Sequence, residues 1–302
     1  MRADFARRGV SADAEAIIGI TGLAGLAGSR IYHLLQDENR PDFFEHPLAQ
    51  LFSTMGFAFV GAILGGFIAL VLLARRFRIP MLLMLDAASP AAAMGYGIGR
   101  IGCQVSGDGD WGIVNSAYYS GPNAKPVLAG AGDFERVLQQ SREVFLPQFG
   151  GLDKVPHLAV KAPSFLPDWL FAYSYPHNVI NEGVRLPGCD GQYCSYLPLP
   201  VFPTPFYETV VCIGLFFLIW SLRKRFNIPG TLFAFYLIVN GIERFLVEKI
   251  RVNTKYDIFG FRPTQAEIIS SLLVISGFAI MFVLRRRKKD PAAPPPAEPI
   301  PS

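Results

Sequence analysis

Two segments carry charged side chains in otherwise apolar surroundings. In RFLVEKIR, Arg244, Glu248 and Arg251 are spaced four and then three residues apart, so all three share one face of a helix. Two arginines against one glutamate favour a site for an anionic group, and the alternative is a charge ladder that neutralises itself in a membrane. Arg100 ends the glycine-rich run GYGIGR, where backbone N–H groups and a guanidinium together suit a phosphate.

Two carboxylates, Asp108 and Asp110, follow Arg100 within a further glycine-rich stretch. Glycines alone would indicate a helix C-cap and a tight turn. Glycines beside an arginine and two carboxylates favour a functional site instead. Other charged residues fall at or inside apolar segments, where each costs about 2.5–3.5 kcal/mol to insert. These are Arg30, Glu208, Glu243 and Glu267.

Six apolar segments are long enough to position these residues across a bilayer, which takes about 20 residues each. They are 14–35, 55–74, 80–103, 205–222, 229–248 and 264–284. The first and third are rich in glycine and alanine, which suits close helix packing. The sequence therefore predicts an all-α polytopic membrane protein with six spans.

The distribution of arginine and lysine beside the six spans predicts their orientation, because positively charged flanking segments face the cytoplasm. They cluster at the N-terminus, after the second and fourth spans, and after the sixth. Both termini are therefore expected in the cytoplasm, and no cleavable signal peptide is expected. One outer flank departs from the rule, between the fifth and sixth spans, with Lys249, Arg251, Lys255 and Arg262. Anionic headgroups on the outer face would explain these four charges.

The predicted organisation has four regions. Residues 1–112 form a first membrane region, 113–204 an outer head, 205–284 a second membrane region, and 285–302 a tail that is basic and then proline-rich and disordered. Cys189 and Cys194 lie in the head, where a disulfide and two free thiols are equally open alternatives.

Composition agrees with a membrane location and limits the partners. Apolar residues make up 51% of the chain and charged residues only 17%, against about 25% in soluble domains. The net charge of +4 reflects the arginines and lysines that flank the spans and set their orientation. The sequence has no basic face with interleaved aromatic residues, so nucleic-acid binding is not predicted. Four scattered histidines and the absence of CxxC spacing predict no metal and no cofactor.

The motifs resemble those of the bacterial prolipoprotein diacylglyceryl transferases, in order and from about residue 6 to 284. Gly99–Gly102, with Gly107, Trp111 and Gly112, resemble the signature GRIGNFxNGExxG. The other matching segments are GLAGSRIYHLL at 25–35, FPTPFYE at 202–208, RFLVEKIR at 244–251 and TQAEIIS at 264–270.

The resemblance implies a diacylglyceryl transfer from phosphatidylglycerol to the lipobox cysteine of a prolipoprotein signal peptide, the first step of lipoprotein maturation. It implies a bacterial inner membrane with the site at the outer leaflet, where Arg100 and Arg244 bind phosphate and Glu248 holds Arg244 and Arg251 in place. Asp108 corresponds to the family's glutamate, with one residue inserted nearby. The implied substrate-binding residues are Arg30, Arg100, Gly102, Gly107, Tyr207, Glu208, Arg244 and Arg251.

Some family positions differ here, and the family's first span has no counterpart. Val60 stands where the family has a histidine, Cys103 replaces its asparagine, and Phe202 replaces a second histidine. Asp108, Asp110 and Glu208 are therefore the alternatives for the general base. Cys103 is either an apolar packing residue or a nucleophile.

Two other functions remain open. The chain is a transferase, or a related protein that binds phospholipid without transferring diacylglycerol, or a membrane transporter. Transporters carry glycine-broken spans and midplane charges but usually repeat their halves, and this sequence shows no such repeat.

Overall fold

The computed structural model describes residues 1–7, 10–36, 58–253, 256 and 262–289. Within that part of the chain the helices are α1 Arg2–Arg7, α2 Ala14–Leu35, α3 Phe59–Arg76, α4 Met81–Ser106, α5 Asp133–Gln140, α6 Arg142–Phe149, α7 Thr204–Leu222, α8 Thr231–Glu248 and α9 Gln265–Lys289. The chain forms two compact units, one of residues 1–91 with 226–233, the other of 92–225 with 234–302.

Each of the six predicted spans contains or overlaps a long helix, and residues 55–57 of the second predicted span lie outside the described part of the chain. Four of them are long and apolar enough to cross a membrane, namely Ala14–Leu35, Met81–Ser106, Thr204–Leu222 and Gln265–Arg286. The other two, α3 and α8, are 18 residues long each. The count of six spans stays a prediction, and the predicted disorder of 290–302 lies outside the described residues.

The first unit is built around an unusually close contact of α2 with α3. A Cβ on Gly61 would lie 2.3 Å from the Gly28 carbonyl oxygen, and one on Gly65 would lie 2.3 Å from that of Ala24. Only glycine permits such an approach, because any side chain would enter the backbone of the facing helix. The glycines of the two helices therefore fix their packing.

A buried carboxylate joins α4 to the start of α8 within the first unit. Asp86 is 2% exposed, and its two oxygens accept hydrogen bonds from the backbone N–H groups of Gly230 and Phe233, each at 2.8 Å. The first N–H groups of a helix lack partners within the helix and carry partial positive charge. Asp86 supplies those partners, which gives a structural reason for a charge inside an apolar segment.

The head region corrects the all-α expectation, since it contains short strands between α4 and α7. They form three two-stranded sheets: β1 Val114–Asn115 with β4 His157–Leu158, β2 Tyr118–Ser120 with β3 Pro126–Leu128, and β5 Val184–Arg185 with β6 Ser195–Tyr196. Proline and glycine interrupt this region often, so its extended segments pair only over two or three residues.

The head nevertheless has its own core. Trp111, Tyr175 and Leu199 belong to its buried apolar cluster. Asn115 is fully buried, and its amide donates to the carbonyl oxygens of Val160 and Phe171 at 2.8 and 3.0 Å. A buried amide with satisfied hydrogen bonds fixes one arrangement of the surrounding loops.

Cysteines and backbone pairing tie the head together and to the membrane helices of the second unit. Cys189 and Cys194 form a disulfide, which decides between the two alternatives left open by their spacing. Gly112 pairs with Arg251 in an antiparallel bridge, and the Ile113 N–H donates to the Ile250 carbonyl at 2.9 Å. The chain after α8 is thereby held against the first residues of the head.

Candidate functional site

Glu208, on the first turns of α7, is the centre of a buried charge cluster in the second unit. It is 0% exposed and is contacted by three guanidinium groups. Arg244 Nη1 and Arg251 Nη1 lie 3.2 and 3.4 Å from its Oε1, and Arg100 Nε contacts its Oε2. The Tyr96 hydroxyl donates to Oε2 at 3.3 Å. One carboxylate thus links α4, α7 and α8.

Asp110 is the second carboxylate of the cluster. Its two oxygens pair with Arg100 Nη1 and with Arg251 Nη2. The Asp110 carbonyl also accepts a hydrogen bond from Thr204 Oγ1 at 3.1 Å, which fixes the loop after α4 to the start of α7. The loop after α4 therefore delivers a carboxylate to the same arginines that Glu208 contacts.

The stripe predicted on α8 is present in part, because Arg244 and Glu248 lie on the helix and Arg251 follows its end. Arg244 Nη2 lies 3.1 Å from Glu248 Oε2, and the Asn253 amide donates to Glu248 Oε1 at 2.7 Å. Arg251 lies just beyond the last helical residue and turns toward Asp110 and Glu208. Glu248 thus orients Arg244 directly, whereas the structure shows no ion pair between Glu248 and Arg251 in the described residues.

The charges of this cluster balance, which changes the argument for an anion site. Three arginines (100, 244 and 251) face three carboxylates (110, 208 and 248), so the positive excess expected from α8 alone is absent. The capacity to bind an anion then lies in individual guanidinium N–H donors. Among the described residues, Arg100 Nη2 and Arg251 Nε are buried and have no hydrogen-bond acceptor. Such donors are costly to leave unpaired and suit an anionic substrate.

The two arginines also determine the ionisation of Asp110. Burial alone would raise the pKa of this carboxyl, but the charges of Arg251 and Arg100, and their hydrogen bonds to it, outweigh burial and hold its pKa below the usual value. Asp110 is therefore an anion throughout the neutral range and a weak proton acceptor.

Asp108 lies beside the cluster without entering it. Its side chain is exposed, and its Oδ1 accepts a hydrogen bond from the Asp110 N–H at 3.3 Å. Ligand atoms of Cys103, Asp108 and Asp110 lie within 4.8 Å of one another. We assign no metal there, because Arg100 and Arg251 already occupy Asp110 and would repel a cation.

The remaining residues predicted to bind substrate have varied surroundings. Gly107 has φ +62°, and a Cβ there would lie 2.8 Å from Asn178 Cβ, so the turn requires glycine. A Cβ on Gly102 would meet nothing within 4 Å. The Tyr207 hydroxyl donates to the Leu170 carbonyl in the head. Arg30 is buried in the first unit, as its 5% exposure shows.

Sequence reasoning missed two members of the cluster, Tyr96 and Asn253. Tyr96 lies four residues before Arg100, and Asn253 lies five residues after Glu248, so spacing from the charged residues was the available signal. A further carboxylate, Glu243, is 6% exposed, and neither of its oxygens has a hydrogen-bond partner in the described part of the chain.

Comparison with known proteins gives one family. The family model described as prolipoprotein diacylglyceryl transferase matches residues 1–283. A phosphatidylglycerol–prolipoprotein diacylglyceryl transferase of Leptospira interrogans is 27% identical over 267 residues, covering 80% of this chain and 63% of the relative. Proteins of the same name from Corynebacterium glutamicum and Clostridium tetani are 23% and 24% identical, covering 89% and 91% of this chain and 68% and 81% of theirs.

The chain thus spans just under two thirds of the length of the Leptospira relative. The family match nevertheless extends across both compact units and includes every residue of the charge cluster. These findings show that the chain, whose apolar helices make it a multi-pass membrane protein, belongs to the prolipoprotein diacylglyceryl transferase family.

Proposed function

We propose that this protein transfers a diacylglyceryl group from phosphatidylglycerol to the lipobox cysteine of a prolipoprotein signal peptide. The observation that carries the proposal is the cluster around Glu208, in which buried guanidinium donors of Arg100 and Arg251 have no acceptor among the described residues. The names of the relatives supply the reaction and its two substrates.

The reaction forms a thioether and releases glycerol phosphate. The cysteine sulfur, as a thiolate, attacks the glyceryl carbon that is esterified to phosphate, the carbon–oxygen bond breaks, and its electron pair leaves on the phosphate. Negative charge on the phosphate increases during this step. Arg100, Arg244 and Arg251 are the groups that bind this charge, and their carboxylate partners hold them in position before substrate arrives.

The proposed topology places this chemistry at the outer leaflet of a bacterial inner membrane. Six spans with both ends of this chain in the cytoplasm put the end of α8 and the head on the outer side. Partners of the outer-flank cations support this assignment, because Lys249 pairs with Glu267 and Arg251 pairs with Asp110 and Glu208. Paired cations cost less to place on that side than free ones.

The experiment is complementation of a bacterial strain depleted of its own transferase, together with transfer of labelled diacylglycerol from phosphatidylglycerol to a lipobox peptide. We expect the protein to restore growth and lipoprotein modification. Arg100→Ala and Arg244→Ala should each abolish rescue at unchanged expression. Arg136→Ala is the matched control, because Arg136 lies in the head and its ion pair in the described residues is with Asp133 on its own helix, outside the charge cluster.

Two outcomes would contradict the proposal. Correctly inserted protein that neither rescues growth nor transfers the label would leave the phospholipid-binding relative as the better interpretation, a view that Val60 and Cys103 at motif positions also favour. Arginine variants as active as Arg136→Ala would show that the cluster is not the site.

The structure predicts different effects on the transfer rate for substitution of two neighbouring carboxylates, Asp110 and Asp108. Asp110→Asn removes the partner of two arginines, and misplaced binding groups cost roughly 10- to 100-fold in rate. Asp108→Asn changes an exposed side chain that has no arginine partner among the described residues, and it should change the rate by less than about threefold. Initial rates of the two purified variants, measured side by side, test this ranking, and a reversed order would refute it.

A further inference from the structure

The charge cluster borders a large cavity within the second unit. The cavity has a volume of about 990 Å³, and Glu248, Arg251 and Asn253 lie along it. Ile268 and Leu272 on α9 give it an apolar side. A cavity that passes from apolar to charged walls suits molecules with an apolar part and a reacting polar end, such as a phospholipid or a signal peptide with its cysteine.

The head supplies another wall of this cavity, including His157 at the start of β4. Strand pairing connects that residue with the cluster. His157 pairs with Val114 in the parallel β1–β4 register, and Gly112, two residues before Val114, pairs with Arg251. His157 and Arg251 therefore lie on either side of the same short extended segment, and both reach the cavity.

The imidazole of His157 is held in one orientation. Its Nδ1 lies 3.0 Å from the carbonyl oxygen of Val155, and its ring packs against Phe134 with centroids 4.6 Å apart. A carbonyl oxygen can only accept, so the neutral ring carries its proton on Nδ1 and leaves a lone pair on Nε2. No hydrogen bond to Nε2 occurs in the described part of the chain, and the residue is exposed.

The transfer needs a proton acceptor, because the thiolate and not the thiol is the nucleophile. The three carboxylates of the cluster are already engaged, since each is paired with at least one arginine. An imidazole with a free Nε2 at the edge of the same cavity has no such competition.

We propose that His157 is the general base that deprotonates the acceptor cysteine, an inference that rests on the proposed transfer reaction. The S–H proton passes to Nε2, the sulfur forms its bond to the glyceryl carbon, and the carbon–oxygen bond to phosphate breaks. Glycerol phosphate leaves with the bonding electrons, and the imidazolium returns its proton to the solvent or to the leaving phosphate. The head thus contributes a reacting group to a site otherwise built from α4, α7 and α8.

The test compares purified full-length His157→Gln with the unchanged protein, using phosphatidylglycerol vesicles and a lipobox peptide. Glutamine can still donate to the Val155 carbonyl but cannot act as a base. We expect kcat to fall by about 10²- to 10⁴-fold, the range for general base catalysis, while the KM for phosphatidylglycerol changes by less than threefold. His177→Asn is the control, because His177 bonds the Tyr193 carbonyl at 2.8 Å and is not a cavity residue.

Two further readouts separate a base from a structural residue. Imidazole added to His157→Ala should restore part of the lost rate. At alkaline pH the peptide cysteine, with a reference thiol pKa of about 8.5, ionises without a base, so the rate of His157→Gln should recover toward that of the unchanged protein. Other charged groups share the cavity and affect the pH dependence of these rates. They are Lys154, Glu248, Lys249, Arg251, Arg262 and Glu267.

The outcomes distinguish this inference from the proposed function. An active unchanged protein with a His157→Gln variant within threefold of it in kcat would overturn the role of His157 and leave the transfer reaction standing. An inactive unchanged protein would refute both. A folded His157→Ala protein that is inactive and gains nothing from imidazole would mark His157 as structural and also overturn the inference.

Discussion

Glu208→Ala is expected to destabilise the protein severely, because it removes a buried carboxylate that contacts three arginines. Removing one partner of a buried ion pair leaves uncompensated charge and costs about 3–5 kcal/mol. Glu208 is completely buried, and Arg100 is only 7% exposed, so water cannot replace the lost contacts. The effect is measured by heating the detergent-solubilised protein and using size-exclusion chromatography to quantify the fraction that remains folded at each temperature.

The control for this variant is Glu15→Ala. Glu15 pairs with Arg2 at 3.3 Å, but the two side chains are 78% and 86% exposed. Exposed ion pairs contribute about 0–1 kcal/mol, so this variant should unfold close to the unchanged protein. Equal midpoints for Glu208→Ala and Glu15→Ala would show that the buried cluster does not stabilise the fold.

Gly61→Ala is expected to disrupt the packing of α2 against α3. The new Cβ would lie 2.3 Å from the Gly28 carbonyl oxygen and 2.4 Å from Tyr32 Cβ, so the helices must separate. Overpacking of this kind costs about 1–3 kcal/mol, and backbone contacts cannot relax as a flexible side chain can. The midpoint of thermal unfolding in detergent should fall accordingly.

Gly22→Ala, on α2, gives the opposite expectation. A Cβ at Gly22 meets nothing within 4 Å, and alanine in a helix is favoured over glycine by about 0.5–1 kcal/mol. Its midpoint should therefore stay unchanged or rise. If Gly61→Ala did not lower the midpoint relative to Gly22→Ala, the requirement for glycine at position 61 could not be attributed to the close approach of α2 to α3.

Much of the helical architecture was predictable from local sequence. Apolar length alone located the six long helices, since a bilayer-spanning helix needs about 20 apolar residues whatever surrounds it. The spacing of Arg244 and Glu248 was equally local, because residues four apart on a helix meet, and the structure gives 3.1 Å between their charged atoms.

The head was less predictable, because its strands are only two or three residues long. Such short segments carry no periodic pattern, so their pairing depends on partners distant in the chain. The Cys189–Cys194 pairing depended in the same way on the path of the loop between them.

The sequence by itself determined the family motifs, the apolar helices and which residues carry charge in them. Only the tertiary structure decided that Asp110, rather than Asp108, binds the arginines, that Glu208 is their common partner, and that His157 shares a cavity with Arg251. The physical reason is sequence distance. Glu208 lies 108 residues from Arg100, and His157 lies 94 from Arg251, so only folding could bring these groups together.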